Sequence, residues 1–193
     1  LNGWSMDGGF LSFATNELVS GGTLYVLPLA GDGERKPTVV LRTESQMFGP
    51  FLSPDSRMLA YQSDQSGRNE VYVRPFLTAS AGAGQAAGPL QVSDQGVTSP
   101  TFWRRDGKEM YYVAGDRGVM AVEVSTAPTF TFGKPKLLFR LSEAVATGTG
   151  SVSRDGQRVA IAVPPTSVLQ QITVFDRQGK IVSKVGEPGR YNN

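Results

Sequence analysis

The 193-residue sequence contains no cysteine and no histidine. Without cysteine there are no disulfides and no thiolate metal sites, and the redox compartment is left undetermined. Without histidine, neither a Ser-His-Asp nor a Cys-His nucleophile can be assembled from this chain alone, and no imidazole ligand exists. Long apolar runs are missing too, since none approaches the roughly 18 residues that a membrane-crossing helix requires. Charge of one sign is scarce: 19 Lys and Arg stand against 17 Asp and Glu, and the basic residues are scattered. That excludes the concentrated basic footprint of a nucleic-acid binder. No Gly-x-Ser-x-Gly elbow occurs. Gly148-Thr149-Gly150-Ser151 lacks the Gly-Lys-Ser/Thr of a phosphate loop and reads as a connection. Apolar spacing of three and four over helical length is absent. The first residues also lack the charged-then-apolar pattern of a signal peptide. Leu1 already lies inside a repeat, so the expectation is a processed protein or a segment of a longer one.

What is present is one short phrase written four times. Trp4-Ser5-Met6-Asp7-Gly8-Gly9-Phe10-Leu11 returns as Leu52-Ser53-Pro54-Asp55-Ser56-Arg57-Met58-Leu59, then as Trp103-Arg104-Arg105-Asp106-Gly107-Lys108-Glu109-Met110, and as Val152-Ser153-Arg154-Asp155-Gly156-Gln157-Arg158-Val159. The aspartates fall 48, 51 and 49 residues apart. A period of this size marks a repeat architecture whose units bury their faces against one another. The second repeat reads as four strands, at 48–53, 57–63, 70–74 and 89–92, separated by turn clusters and rich in β-branched and aromatic residues. The other repeats place their second strands at 10–14, 109–114 and 158–163. Their third strands fall at 23–27, 119–124 and 172–175, and their fourth at 38–41, 136–139 and 180–185.

Strands with one wet face alternate apolar and polar residues. Here 119–122 and 159–163 are apolar on both faces, which favours radial stacking of four-stranded blades over a two-sheet sandwich. The predicted fold is therefore all-β: a β-propeller of four-stranded antiparallel blades at about 1–47, 48–97, 98–146 and 147–193. In the Asp-Gly step, glycine supplies positive φ and the carboxylate accepts backbone amides, so these aspartates read as turn clips. Trp4 and Trp103, at equivalent positions, read as packing wedges between sheets.

At these residues the chain resembles the TolB-like (PD40, WD40-like) β-propellers. Ser53-Pro54-Asp55-Ser56-Arg57-Met58-Leu59-Ala60-Tyr61 and Asn69-Glu70-Val71-Tyr72-Val73-Arg74-Pro75-Phe76 are similar to that family's WSPDGxxLAY and NEIYVRPF strands. The third repeat, through Met120-Ala121-Val122-Glu123-Val124, resembles the companion blade. The repeats are also similar to propellers C-terminal to membrane-tethered bacterial serine/threonine kinases. Met6, Arg105 and Arg154 depart from the motif's proline, and Leu52 and Val152 from its tryptophan. The resemblance implies a ring of six or more blades, so the four here are expected to form an open arc, completed by further blades or by self-association. It also implies a periplasmic or extracellular location.

Binding is expected on loops carried by a rigid scaffold. Because strand direction alternates, the fourth-to-first connections and the second-to-third turns share one face. The candidates there are Glu44, Gln46, Asp64, Arg68, Asp94, Gln95, Asp116 and Arg117. Their mixed charges suit a protein surface or a small polar ligand. Asp64-Gln65-Ser66-Gly67-Arg68-Asn69-Glu70 carries oxygen ligands at alternating positions but places Arg68 among them, so a hairpin loop is favoured over a Ca²⁺ site. Ala79-Ser80-Ala81-Gly82-Ala83-Gly84-Gln85-Ala86-Ala87-Gly88 reads as a flexible surface insertion. No local spacing marks the carboxylate pair of a glycosidase. The expected function is a non-enzymatic interaction or sensor module, read as the extracytoplasmic part of a signalling receptor, with no catalytic residue, cofactor or metal and no membrane insertion by this segment. Two alternatives stay open, a propeller associated with a hydrolase, lyase or peptidase and a structural assembly module.

Overall fold

A computed structural model of the chain describes residues 3–17, 21–30, 35–76, 88–98, 101–141, 150–153, 155–163 and 171–185. The first blade runs β1 (Gly3–Trp4), β2 (Phe10–Glu17), β3 (Gly21–Pro28) and β4 (Thr38–Thr43), hydrogen-bonded in that order. The second is β5 (Met47–Leu52), β6 (Met58–Ser63), β7 (Glu70–Pro75) and β8 (Leu90–Gln91), again in chain order. In the third, β9 (Phe102–Trp103), β10 (Glu109–Val113) and β11 (Gly118–Ser125) are followed by β12 (Thr131–Phe132) and β13 (Lys136–Arg140). Both of these last strands pair with β11, one at each end, where a single fourth strand was expected. At eight residues, β11 is long enough to carry both. The fourth blade is β14 (Gly150–Val152), β15 (Arg158–Val163), β16 (Gln171–Asp176) and β17 (Ile181–Val185). Every pairing is antiparallel. Residues 79–87 of the expected 79–88 insertion and the Gly148-Thr149 step lie outside the described residues.

The turn between first and second strands has one construction in all four blades. Gly8, Ser56, Gly107 and Gly156 all have φ between 55° and 73°, where a side chain crowds the backbone. The aspartate one residue earlier accepts the amide two residues beyond it, from Gly9 at 2.9 Å, Arg57 at 3.2 Å, Lys108 at 3.0 Å and Gln157 at 3.0 Å. In three blades the serine two residues before the aspartate donates its hydroxyl to that carboxylate. The same serine oxygen accepts the amide that opens the second strand, at 2.9 to 3.0 Å. The third blade has Arg104 in the serine's place, and its guanidinium grips both oxygens of Asp106 at 2.7 Å. The aspartates are turn clips in equivalent positions.

The blades stack face to face in chain order, with a buried apolar seam between each neighbouring pair. Leu24, Val26, Leu59, Tyr61 and Tyr72 fill the first. Ala60, Val71, Val73, Trp103, Met110 and Val122 fill the second, and Tyr111, Val113, Val119, Phe139, Val159 and Ile161 the third. Strand β6 shows why its sequence is apolar throughout: Leu59 and Tyr61 face the first blade while Met58 and Ala60 face the third, and all its residues are buried. Each fully buried aliphatic side chain contributes on the order of 2 kcal/mol, which makes the seams the main source of cohesion.

The two tryptophans have different fates. Trp103 is 9% exposed, packs in the second seam, and donates its indole N–H to the Phe51 carbonyl of the preceding blade at 3.3 Å. Trp4 is 70% exposed, so the expectation that it is a wedge between sheets is corrected. It pairs across the strand with Leu11, on the face turned away from the second blade, and no described blade precedes it. Among the described residues, no buried cluster joins the first blade to the fourth.

Candidate interaction face

On the face carrying the fourth-to-first connections and the second-to-third turns, the two described connections, β4 to β5 and β8 to β9, are each hooked by the hairpins of two blades. The connection from β4 to β5 carries Glu44 and Gln46. Asn16, near the end of β2, brackets Met47 through its side-chain amide, accepting the Met47 N–H at 2.9 Å and donating to its carbonyl at 2.8 Å. Gln46 donates its side-chain amide to the Glu17 carbonyl at 3.2 Å and its backbone N–H to Asp64 at 2.8 Å. Asp64 therefore ties the second blade's hairpin to the connection that enters it.

The same logic recurs one blade on. Arg68 donates Nε to Glu70 at 2.6 Å and a terminal nitrogen to the Asp94 carbonyl. Glu70 is 0% exposed, and its other bonds come from the Ser93 hydroxyl and the Gly96 amide, the latter at 2.8 Å. A buried carboxylate costs several kcal/mol unless paired and hydrogen-bonded. Arg68 and the 93–96 segment supply those partners, and in return Glu70 fixes the connection bearing Asp94 and Gln95. Gly115 of the third blade then donates to the Gly96 carbonyl at 3.0 Å, so this connection too is held from both sides.

Asp116 accepts the Gly118 amide at 3.0 Å and an ion pair from Arg140 of the same blade. The Arg140 bond first, then the Gly118 amide, hold its carboxyl below the usual range. Arg117 has φ 68°, and its backbone closes the turn to Ala114 and accepts from Leu141. The structure thus brings together Gln46 with Asp64 and Arg68 with Asp94, while Asp116 engages its own blade. Glu44, Asp94 and Gln95 present exposed side chains. Arg68 sits on Glu70 rather than leaving oxygens for a cation, and among the described residues no group of three or more carboxylates converges as metal ligands.

The opposite face holds a cluster that sequence reasoning missed. Glu109, at the start of β10, is clasped by Arg177 of the fourth blade at 2.7 and 3.0 Å, by Arg104 at 2.8 Å and by the Tyr111 hydroxyl. Arg177 also donates to Tyr111 at 3.1 Å and to the Gly156 carbonyl at 3.2 Å. The Arg177 bonds first of all hold the Glu109 carboxyl below its usual range against the effect of burial. Burial, reinforced by Glu109, pushes the Tyr111 hydroxyl up to about 12. The only sequence signal was a glutamate at the position held by Met58 in the second repeat.

Four antiparallel sheets stacked through alternating strand faces, each opened by an aspartate-clipped turn, define the chain as a β-propeller. Its repeats are TolB-like. A stretch of 59 residues is 37% identical to the Tol-Pal system protein TolB of Bordetella pertussis, covering 31% of this chain and 14% of that protein. The TolB of Bordetella avium is 39% identical over 59 residues, 31% of this chain and 13% of its own. Hydrazine synthase of Kuenenia stuttgartiensis superposes on 94% of this chain and 47% of its own with a TM-score of 0.59 at 15% identity, a likeness of fold alone. The crystal structure of TolB from Acinetobacter baumannii aligns over 90% of this chain and 52% of its own at 16% identity, with a TM-score of 0.43 that is too low to bear on the fold. The chain therefore spans about half the length of these structural neighbours, and the matched stretch is a much smaller share of the curated relatives. No protein-family model matches it.

Proposed function

We propose that the chain is a non-enzymatic protein-interaction module acting outside the cytoplasm, in the periplasm or at the cell surface, as the sensing part of a bacterial receptor. The observation that carries this reading is the pair of hooked connections, β4 to β5 and β8 to β9, each fixed by two hairpins, with Glu44, Asp94 and Gln95 exposed on them. A platform fixed in this way loses little conformational entropy when it binds, and it suits a protein surface or a small polar ligand. The carboxylates support the same reading. Asp7, Asp55, Asp106, Asp116, Asp155 and Glu109 are all held below the usual range by hydrogen bonds or guanidinium groups, as acceptors rather than proton donors. The local relatives are proteins of the Tol-Pal system, which favours a protein partner.

Site-specific photocrosslinking tests the reading. A photoreactive residue at Glu44 or Gln95, in chain exported to a bacterial periplasm, is expected to form discrete protein adducts. The same group at Met6, exposed on the opposite face, is expected to form none. Absence of adducts at 44 and 95, or equal labelling at 6, would overturn the proposal.

A further inference from the structure

The third blade departs from the other three at its outer strand, and the departure frames a cleft. Where each of the others has one fourth strand, this blade has β12 and β13, with the joint at 133–135. That joint stands opposite the end of β8 and the connection that follows it. Residues 91–94 on one wall and 132–135 on the other line an open cleft of about 320 Å³ between the second and third blades. Its size falls at the lower end of the roughly 300–1,000 Å³ typical of small-molecule sites.

Both walls are held from behind. On the second blade, the Gln91 side chain accepts the Tyr72 hydroxyl at 3.2 Å and donates to the Ser93 carbonyl at 2.8 Å. The Ser93 hydroxyl is fixed on buried Glu70, and the Asp94 carbonyl receives Arg68. On the third blade, Gly133 donates to the Glu123 carbonyl at 2.9 Å. Phe132 is 38% exposed and stacks 5.9 Å from Phe130, which meets Trp103 edge-on in the second seam. Walls that are already ordered cost a ligand little entropy.

Two charges of opposite sign remain unused there. Arg68 is engaged by Glu70, and Lys136 by Glu123 at 2.6 Å. Among the described residues, neither the Asp94 carboxylate nor the Lys134 ammonium has a hydrogen bond or an ion pair, and the two do not pair with each other. Both side chains are exposed. A simple cation would gain Asp94 but meet repulsion from Lys134, and a simple anion the reverse, so the pair selects a ligand that carries both charges. The Phe132 ring offers that ligand an apolar surface.

We infer that this cleft binds a small zwitterion with an apolar side chain, the chemistry of an α-amino acid or a short peptide, with its ammonium on Asp94, its carboxylate on Lys134 and its side chain against Phe132. The site rests on the sensing role proposed above, for which it supplies a ligand class. Calorimetry on the purified chain involves no protein partner, so it can fail while the crosslinks at 44 and 95 form, and the reverse.

The probes are L-leucine and L-leucyl-L-leucine, titrated into the native chain. Saturable binding with a Kd of about 1 mM or tighter is expected for at least one, and the tighter of the two assigns the source as a free amino acid or a peptide. No saturable binding of either up to about 10 mM would overturn the proposal. N-acetyl-leucine lacks the ammonium and leucinamide the carboxylate, and each is expected to bind at least about fivefold more weakly than leucine. Equal affinity for either would mean an apolar contact alone and would refute the charge pairing. Asp94→Asn and Lys134→Gln each remove one charge from an exposed, unbonded side chain, so the fold is kept. Each is expected to weaken the preferred probe by at least about fivefold, and unchanged affinity in either would refute the site. Amide chemical shifts should move at 91–94 and 132–135, and shifts confined to other residues would place the ligand elsewhere and overturn the assignment.

Discussion

Replacing Arg177 by methionine isolates the clasp between the third and fourth blades. Methionine retains much of the apolar stem, so the change falls mainly on the guanidinium. Lost are two charge-assisted bonds to Glu109 and one each to Tyr111 and Gly156. Hydrogen bonds to charged groups are worth roughly 1.5–3 kcal/mol each when buried. Two observations reduce the sum: the Arg177 side chain is 26% exposed, and Arg104 remains on Glu109 at 2.8 Å. The expected loss is about 2 kcal/mol, or roughly 4–8 °C in Tm for a domain of this size. Thermal melts followed by circular dichroism, at fixed protein concentration and pH 7, measure it. With Glu109→Gln and the double variant the cycle closes, and a coupling of about 1 kcal/mol or more is expected for groups in one network. The sign of the pH dependence follows from the lowered Glu109 carboxyl. Its contribution is complete above the unfolded carboxylate range and is lost as pH falls through the lower folded value. The gap between native chain and variant is therefore expected to persist at pH 5 and to close only in stronger acid. A shift in Tm below about 1 °C, or strictly additive single variants, would refute the clasp.

Asp55→Ala removes an acceptor shared by Ser53, Arg57 and Thr126 of the next blade, and is expected to cost about 1 kcal/mol in urea unfolding with no change in slope. Ser56→Gly should act in the opposite direction. Ser56 is held at φ 55° with its buried hydroxyl unpartnered, so glycine is expected to stabilise by about 0.5–1 kcal/mol, and a lower Tm would contradict the strain. The clip aspartates together predict acid lability. Asp7, Asp106 and Asp155 titrate below the usual range, chiefly through Ser5, Arg104 and Ser153, so stability in urea should hold from neutrality to about pH 5 and fall steeply towards pH 3.

The architecture was legible because its determinants are local and repeated. The aspartate, the residue after it and the serine before it lie within four positions, and the strand patterns follow at fixed offsets. The interaction surface was legible only as a face. Asp64, Arg68 and Asp116 were chosen as exposed polar residues on turns, yet each is engaged by a partner: Arg68 by nearby Glu70, and Asp64 and Asp116 by Gln46 and Arg140, 18 and 24 positions away. The Glu109–Arg177 clasp joins residues 68 positions apart in different blades, so no window on the sequence contains both. Trp4 and Trp103 were read alike because their local phrases are alike. Their difference lies in what stands beside the blade.

The seams also govern how the chain comes apart. Among the described residues each joins nearest neighbours only, so the second and third blades are braced on two sides and the first and fourth on one. Cohesion of this kind adds along the row like the couplings of a one-dimensional lattice, and opening begins at the ends. Amide exchange in the isolated chain should therefore be graded by position rather than by strand. Protection would be longest in β6, β7 and β10, and protons would be lost first from β16 and β17, where Ile172, Ile181 and Val182 face solvent.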